Sequence, residues 1–170
     1  MTRRMLLACM GISVAALCVS AAVQMQVRVV YNPTDSVARG WYLIGPSDAL
    51  HVGSIVLVQL SPVVAAFATQ RGYLPKEVPI LKRIGAVAPQ SVCVRGQAVH
   101  IDGAAVATVL AHDGKHRPLL PWAQCRVLME GELFLLSDVH PASFDSRYFG
   151  TIDASAVLGT ARPIWTGRAQ

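Results

Sequence analysis

Ser137 to Gly150 reads S-D-V-H-P-A-S-F-D-S-R-Y-F-G and follows directly on an apolar run, Glu132 to Ser137, E-L-F-L-L-S. The run has the length and composition of a buried strand, and Asp138 to Asp145 breaks it with turn formers. The same alternation of short apolar run and turn recurs in both directions. Towards the C-terminus, Ala154 to Trp165 contains at least one more strand. Towards the N-terminus, Val92 to Val106 carries turn glycines in a hairpin pattern, with Asp102-Gly103 as a hairpin turn. Pro79 to Val87 (P-I-L-K-R-I-G-A-V), Ser54 to Leu60 (S-I-V-L-V-Q-L) and Trp41 to Ile44 read as strands, the last ended by the turn Gly45-Pro46-Ser47-Asp48. Gln24 to Tyr31 alternates like a strand until Asn32-Pro33-Thr34-Asp35-Ser36 starts a loop. One helix is predicted, from Pro62 to Arg71, with Ser61 as N-cap, proline at the first helical position and Gly72 as the stop. Many short strands with one short helix make the fold mainly β.

The chain of 170 residues is 53% apolar and 15% charged, which suits one domain with a sizeable core. Met5 to Val23 is 19 residues without a charge behind Arg3 and Arg4; at about 1.5 Å per residue it comes close to spanning a bilayer core as one transmembrane helix. The paired arginines predict a cytoplasmic N-terminus and a body outside the cytoplasm. Residues 1–26 are therefore expected to be an N-terminal membrane anchor, with a cleavable signal segment as the rival because Val19-Ser20-Ala21 has the small residues of a cleavage site. Residues 27–170 form the exported domain. An inner-membrane location with that domain in the periplasm follows, or a periplasmic one if the segment is removed. The formal net charge is +5, or +3 without the two N-terminal arginines, and the basic residues are scattered, so no nucleic-acid partner is expected. Cys9 and Cys18 lie in the apolar run. Cys93 and Cys125 lie in the body, where an oxidising compartment permits them to pair.

Three lysines stand against twelve arginines. Lys76 adjoins Glu77 and Lys115 sits in H-D-G-K-H, but Lys82 follows Ile80-Leu81 in a strand. Burial there would favour the neutral amine and make Lys82 a general base. Leu81-Lys82-Arg83-Ile84 also fits a strand with its charges turned to solvent. Ser36, among Pro, Thr, Asp and Asn, fits a turn residue as well as a nucleophile. His112 and His116 have a metal-like interval without a third ligand, and no metal or other cofactor is expected.

Three blocks decide between these readings: N-P-T-D-S-V-A-R-G-W-Y around Ser36, L-K-R-I-G-A-V-A-P-Q-S-V around Lys82, and Ser137 to Gly150. Behind an N-terminal membrane segment, they resemble in order the boxes of the signal peptidase superfamily, with its Ser/Lys dyad. The third aligns without gaps with that family's G-D-N-R-x-x-S-x-D-S-R-Y-x-G, and Val52 to Val56 is similar to its G-D-I-V strand. Ala65 to Leu74, Leu120-Pro121-Trp122, Cys125-Arg126, Gly131 to Leu136 and Pro163 to Thr166 resemble the TraF branch, which matures pilin subunits for conjugation. The resemblance covers nearly the whole chain.

It implies a signal peptidase I-like β catalytic domain in which Ser36 is the acylated nucleophile and Lys82 its base. The Ser36 backbone N–H and the Thr34 hydroxyl would form the oxyanion hole. Ser143 would orient the amine, and Asp145 with Arg147 would brace the loop. Val37 and Leu81 are candidate walls of small-residue pockets, with the substrate bound as an added strand. The implied substrate is a pilin precursor or another exported, membrane-associated protein, cleaved and in some members cyclised. A housekeeping signal peptidase would use the same residues, and a non-catalytic component of a conjugation or secretion apparatus would keep the boxes as scaffold only. The chain departs from the branch at Ala38, where proline is usual, at Pro89-Gln90 for Gly-Asp, and at Val139-His140 for Asn-Arg.

Overall fold

The computed structural model describes residues 5, 9–14, 29–47, 50–137 and 139–167. In chain order the elements are β1 (Val29–Asn32), β2 (Gly40–Gly45), β3 (Ile55–Val58), α1 (Pro62–Gln70), β4 (Ile80–Val87), β5 (Ser91–Arg95), β6 (Ala98–Ile101), β7 (Ala104–Thr108), β8 (Cys125–Val127), β9 (Glu132–Leu136), α2 (Ser146–Phe149), β10 (Ile152–Asp153) and β11 (Val157–Thr166). They form a seven-stranded sheet in the order β1-β2-β11-β3-β4-β9-β10 and a four-stranded sheet in the order β7-β6-β5-β8. All pairings are antiparallel. The described residues adopt the expected mainly β architecture, with the expected helix α1 and a second helical turn, α2.

The uninterrupted apolar runs of β3 and β9 have a simple cause: successive side chains point to opposite faces, and here both faces are covered. Val56 and Val58 pack with Ile84, Leu133, Leu135 and Val157, whereas Leu57 packs with Tyr42, Ile44, Leu81 and Ala161. The alternate residues of β9, Phe134 and Leu136, join Val92, Val94, Val99 and Ile101 of the small sheet in a third cluster. Strand β9 thus couples the two sheets, and the loop that follows it starts from a fixed point.

Ser61 occupies the α1 N-cap position without a side-chain capping bond, Pro62 opens the helix, and Gly72 at φ +69° follows its end. Asp102 and Gly103, both at positive φ, turn β6 into β7 in the manner of a two-residue hairpin. The expected strand from Gln24 lies outside the described residues up to residue 28, and β1 continues it. Strand β8, β10 and the helical turn α2 were not anticipated. They are three, two and four residues long, too short to show a period. The membrane segment expected over Met5 to Val23 lies for the most part outside the described residues. Among those described, residues 9–14 are helical and no helix is long and apolar enough to cross a membrane.

Strand β8 is held at the rim of the small sheet by pairing with β5 and by a covalent link. Cys93 and Cys125 face each other in register, with Cα atoms 3.8 Å apart, and form a disulfide across a separation of 32 residues. Closing a loop of that length is worth about 3 to 4 kcal/mol as an upper figure on chain-entropy grounds. A Cys93→Ser/Cys125→Ser double variant should unfold at lower denaturant by up to that amount, with its main loss in stability and not in secondary structure, as circular dichroism with urea titration would read.

Candidate active site

The loop after β1 is shaped by one buried amide. Asn32 is 5% exposed. Its Nδ2 donates to the carbonyls of Thr34 at 2.8 Å, Val37 at 3.0 Å and Ala38 at 3.2 Å. Its Oδ1 accepts from the Thr34 N–H at 3.2 Å and the Thr34 hydroxyl at 2.8 Å. The Tyr42 hydroxyl also donates to Ala38 O at 2.6 Å, and Val37 is fully buried below the loop. Outside, Arg39 grips Asp35 through two 2.6 Å bonds. A loop that departs from the resembled pattern at Ala38 is therefore fixed by side chains. It presents Ser36 at its turn.

The Ser36 hydroxyl donates to the carbonyl of Leu81 at 3.1 Å and lies 3.0 Å from the Thr34 hydroxyl. Each hydroxyl has one proton, so the set Asn32, Thr34, Ser36 and Leu81 can shift donors without moving heavy atoms. The Ser36 N–H donates to no group among the described residues. Its carbonyl is held from the far side by the Ser137 hydroxyl at 2.9 Å, and Ser137 Oγ in turn accepts the His140 N–H at 3.1 Å. Ser137 stands where the resembled pattern has glycine, and at 7% exposed it bolts the Ser36 loop to the end of β9.

Lys82 sits in mid-β4 opposite Val56 and is 5% exposed. Its Nζ donates to the Ser143 hydroxyl. Burial is the chief influence on the amine and lowers its pKa to about 8; the Asp145 carboxylate pushes it back up, and the Arg147 charge pushes it down. No hydrogen bond joins Lys82 to Ser36 in this state. The link is through the Leu81 carbonyl, one residue away along β4.

Behind Ser143, Asp145 and Arg147 are 0% and 1% exposed. Asp145 caps α2 and accepts from the Ser137 N–H at 3.0 Å, the Arg147 N–H at 3.2 Å, and Arg147 Nε and Nη2 at 2.8 Å each. The remaining guanidinium hydrogens go to Thr108 O at 2.7 Å, Pro141 O at 2.8 Å and Ser143 O at 3.0 Å. All five donors of Arg147 are satisfied, so the pair carries little unpaired charge. Gly150 ends the turn at φ +80°, where a Cβ would fall 2.6 Å from Trp122 Nε1.

Ser36, Lys82, Thr34, Leu81 and Ser143 line one cleft of about 750 Å³. Of the two residues expected as pocket walls, Leu81 lines it and Val37 does not; Val37 belongs to the core with Tyr42 and Leu57. Asn32, Tyr42 and Ser137 were not singled out from sequence. Asn32 before proline carries only the signal of a turn former, and Ser137 and Tyr42 look like strand residues. Among the described residues no three His, Cys, Asp or Glu side chains gather as a metal site would require.

The family model for signal peptidases, peptidase S26, matches residues 2–166. The conjugal transfer protein TraF of Agrobacterium tumefaciens (strain 15955) is 33% identical over 156 residues, covering 86% of each chain. The plasmid transfer protein TraF of Escherichia coli is 29% identical over 146 residues, 79% of this chain and 81% of that one. Among solved structures, a signal peptidase I of Enterococcus faecalis aligns over 66% of this chain and 97% of its own, with 21% identity and a TM-score of 0.40. With a family match from residue 2 to residue 166 and a relative of 33% identity over most of both chains, the chain belongs to the signal peptidase family, peptidase S26.

Proposed function

We propose that this protein is a membrane-tethered serine endopeptidase that matures an exported precursor, a conjugative pilin subunit, with Ser36 as nucleophile and Lys82 as general base. The observation that carries the reading is a lysine amine buried in a sheet, oriented by Ser143, in the same cleft as a serine whose N–H has no hydrogen-bond partner among the described residues. A buried amine with a pKa near 8 is neutral in a useful fraction at working pH and can take a proton that an ordinary lysine could not.

In this reading Ser36 Oγ gives up its bond to Leu81 O, loses its proton to Lys82 and attacks the scissile carbonyl. The C–O bond forms as the oxyanion turns to the Ser36 N–H and the Thr34 hydroxyl. Thr34 must then release Asn32 Oδ1, whose other partner, the Thr34 N–H, remains in place. The oxyanion then collapses, the scissile C–N bond breaks and Lys82 delivers its proton to the leaving amine, which gives the acyl-enzyme. Water, or the amine of the substrate itself, resolves the acyl-enzyme, and the second route closes a ring. The substrate lies extended. Strand β1 is a sheet edge, and β9 pairs with β4 only from Arg83 onward, which leaves Ile80 to Lys82 a side on which to receive a strand. The conjugal transfer names of the TraF relatives support a pilin precursor as that substrate. Residues 1–26 hold the enzyme at the inner membrane, and residues 27–170 act in the periplasm.

Ser36→Ala, Lys82→Ala and Lys82→Arg should each abolish processing of a coexpressed pilin precursor, read as product mass, because a guanidinium does not deprotonate. Wild-type turnover should climb with pH through a midpoint near 8, where the amine becomes neutral. A flat profile would remove Lys82 as base. Ser143→Ala should lower turnover roughly ten- to a hundredfold through loss of one orienting bond of about 1 to 3 kcal/mol. Asp145→Asn should lower the melting temperature as well as turnover, since Arg147 is left without its anion in the interior. A fall in turnover with no change in melting would instead make Asp145 a direct partner of Lys82.

Stability should carry the same signature. The folded Lys82 pKa is depressed from 10.5 to about 8, so below pH 8 folding bears a cost on the order of 3 kcal/mol as an upper figure, which shrinks as pH rises and vanishes above about 10.5. Lys82→Met should therefore melt higher than wild type at pH 7, and the advantage should fade between pH 8 and 10.5. Equal pH dependence of the two proteins in calorimetry would contradict it.

A further inference from the structure

One wall of the cleft is lined by Arg71 to Leu74, just after α1, and by Asp113, Gly114, Lys115 and Arg117 of the loop H-D-G-K-H-R. Its one carboxylate is fully engaged. Asp113 Oδ1 accepts the N–H groups of Lys115 and Arg117 at 2.9 Å, and Oδ2 accepts the Tyr73 hydroxyl at 2.6 Å and Arg117 Nε at 2.7 Å. On the Ser36 loop, Asp35 is engaged by Arg39 through two bonds of 2.6 Å. These are the two carboxylates that line the cleft, against the cations Arg39, Arg71, Lys82, Lys115 and Arg117.

Asp113 is shared by two of those cations, Arg117 at 2.7 Å and Arg71 at 3.7 Å, so the wall keeps an excess of positive charge. Arg71 also lies over the Phe67 ring at 4.6 Å and donates Nη1 to Pro118 O at 2.9 Å. Its guanidinium is aimed before any ligand arrives, which lowers the entropy cost of using it. The Lys115 side chain has no ion-pair or hydrogen-bond partner among the described residues. The wall is also tied to the site: Phe67 and Tyr73 pack on Phe144 at 5.7 Å and 5.2 Å, next to Ser143. Arg71 and Lys115 line the same cleft as Ser36, so an extended peptide bound there with its scissile bond at Ser36 brings neighbouring residues to this wall.

We propose that Arg71 and Lys115 form a subsite for a carboxylate of the bound peptide, so that the substrate carries an acidic group a few residues from the cleavage point. This rests on the peptidase reading for what the peptide is, and on the wall alone for what it recognises. The carboxylate belongs to an Asp or Glu side chain or to the peptide's own C-terminus, and the test separates the two.

The experiment uses the full chain in detergent micelles with Ser36→Ala, so that peptides bind without turnover. Fluorescein-labelled alanine-rich peptides with an amidated C-terminus carry one Glu, Gln or Lys walked through successive positions, and a second series ends in a free acid at each length. Fluorescence anisotropy should find one position, or two neighbours, at which the anionic peptide binds roughly three- to tenfold more tightly than its neutral twin. The Lys peptide should bind more weakly, and the preference should be lost in 1 M salt. The series in which it occurs identifies the source of the carboxylate. Arg71→Gln and Lys115→Gln should each erase most of it, and Lys115→Glu should reverse it in favour of the Lys peptide, which a damaged wall would not do. Equal binding of anionic and neutral peptides at every position and length, or no binding by any of them, would overturn the subsite. Cleavage of the same peptides by the chain with Ser36 intact reports separately: a carboxylate preference without cleavage would reject the peptidase reading and leave the subsite standing.

Discussion

The rest of the site depends on the burial of one amine. Lys82 is 5% exposed in its strand, so water solvates an ammonium there poorly, and the amine gives up its proton more readily than a lysine in solvent. Everything nearby limits the damage of placing an ionisable group in a core. Ser143 accepts the Nζ hydrogen bond, and Asp145, whose charge acts on that amine, is given four donors of its own. Its charge is answered by Arg147 instead of by Lys82. If that carboxylate bonded Lys82, it would hold the proton in place and defeat the proposed base.

The positioning of Ser36 follows the same economy of fixed dipoles. Asn32, Tyr42 and Ser137 between them occupy the carbonyls of Thr34, Ser36, Val37 and Ala38, while the Ser36 N–H has no partner among the described residues. With these four carbonyls turned to their own donors and the Ser36 N–H left over, the surroundings of Ser36 favour negative charge, which the proposed tetrahedral intermediate would bring. Ser137 also makes the end of β9 a shared anchor, since its N–H bonds Asp145 and its hydroxyl bonds Ser36 O. The Ser36 loop and the Ser143 loop are thereby held to one strand, although more than 100 residues separate them in sequence.

What the sequence made legible follows from where its signals are periodic. Strands β3, β4 and β9 and helix α1 were readable because burial on two faces and a proline start leave long marks. The disulfide partners were readable as a possibility because two cysteines stand in the body, but their exact opposition in β5 and β8 depends on a register that no local pattern sets. The short elements β8, β10 and α2 are held by tertiary pairing and capping, and local propensity is silent on them. At the site, the blocks pointed to Ser36, Lys82, Ser143, Asp145 and Arg147, and the fold brings these together. Asn32 and Ser137 escaped notice because a side chain that bonds backbone has no pattern in sequence. Val37 was expected at a pocket wall as a neighbour of Ser36, but the turn places it inside.

The protonation state of the Lys82 amine can be observed directly. With only three lysines in the chain, lysine-selective ¹⁵N labelling and a heteronuclear NMR titration of the side-chain amines, assigned by Lys82→Met, would give its protonation curve. A Lys82 midpoint near 8 is the expected result, and a midpoint at the ordinary lysine value of 10.5 would contradict the account.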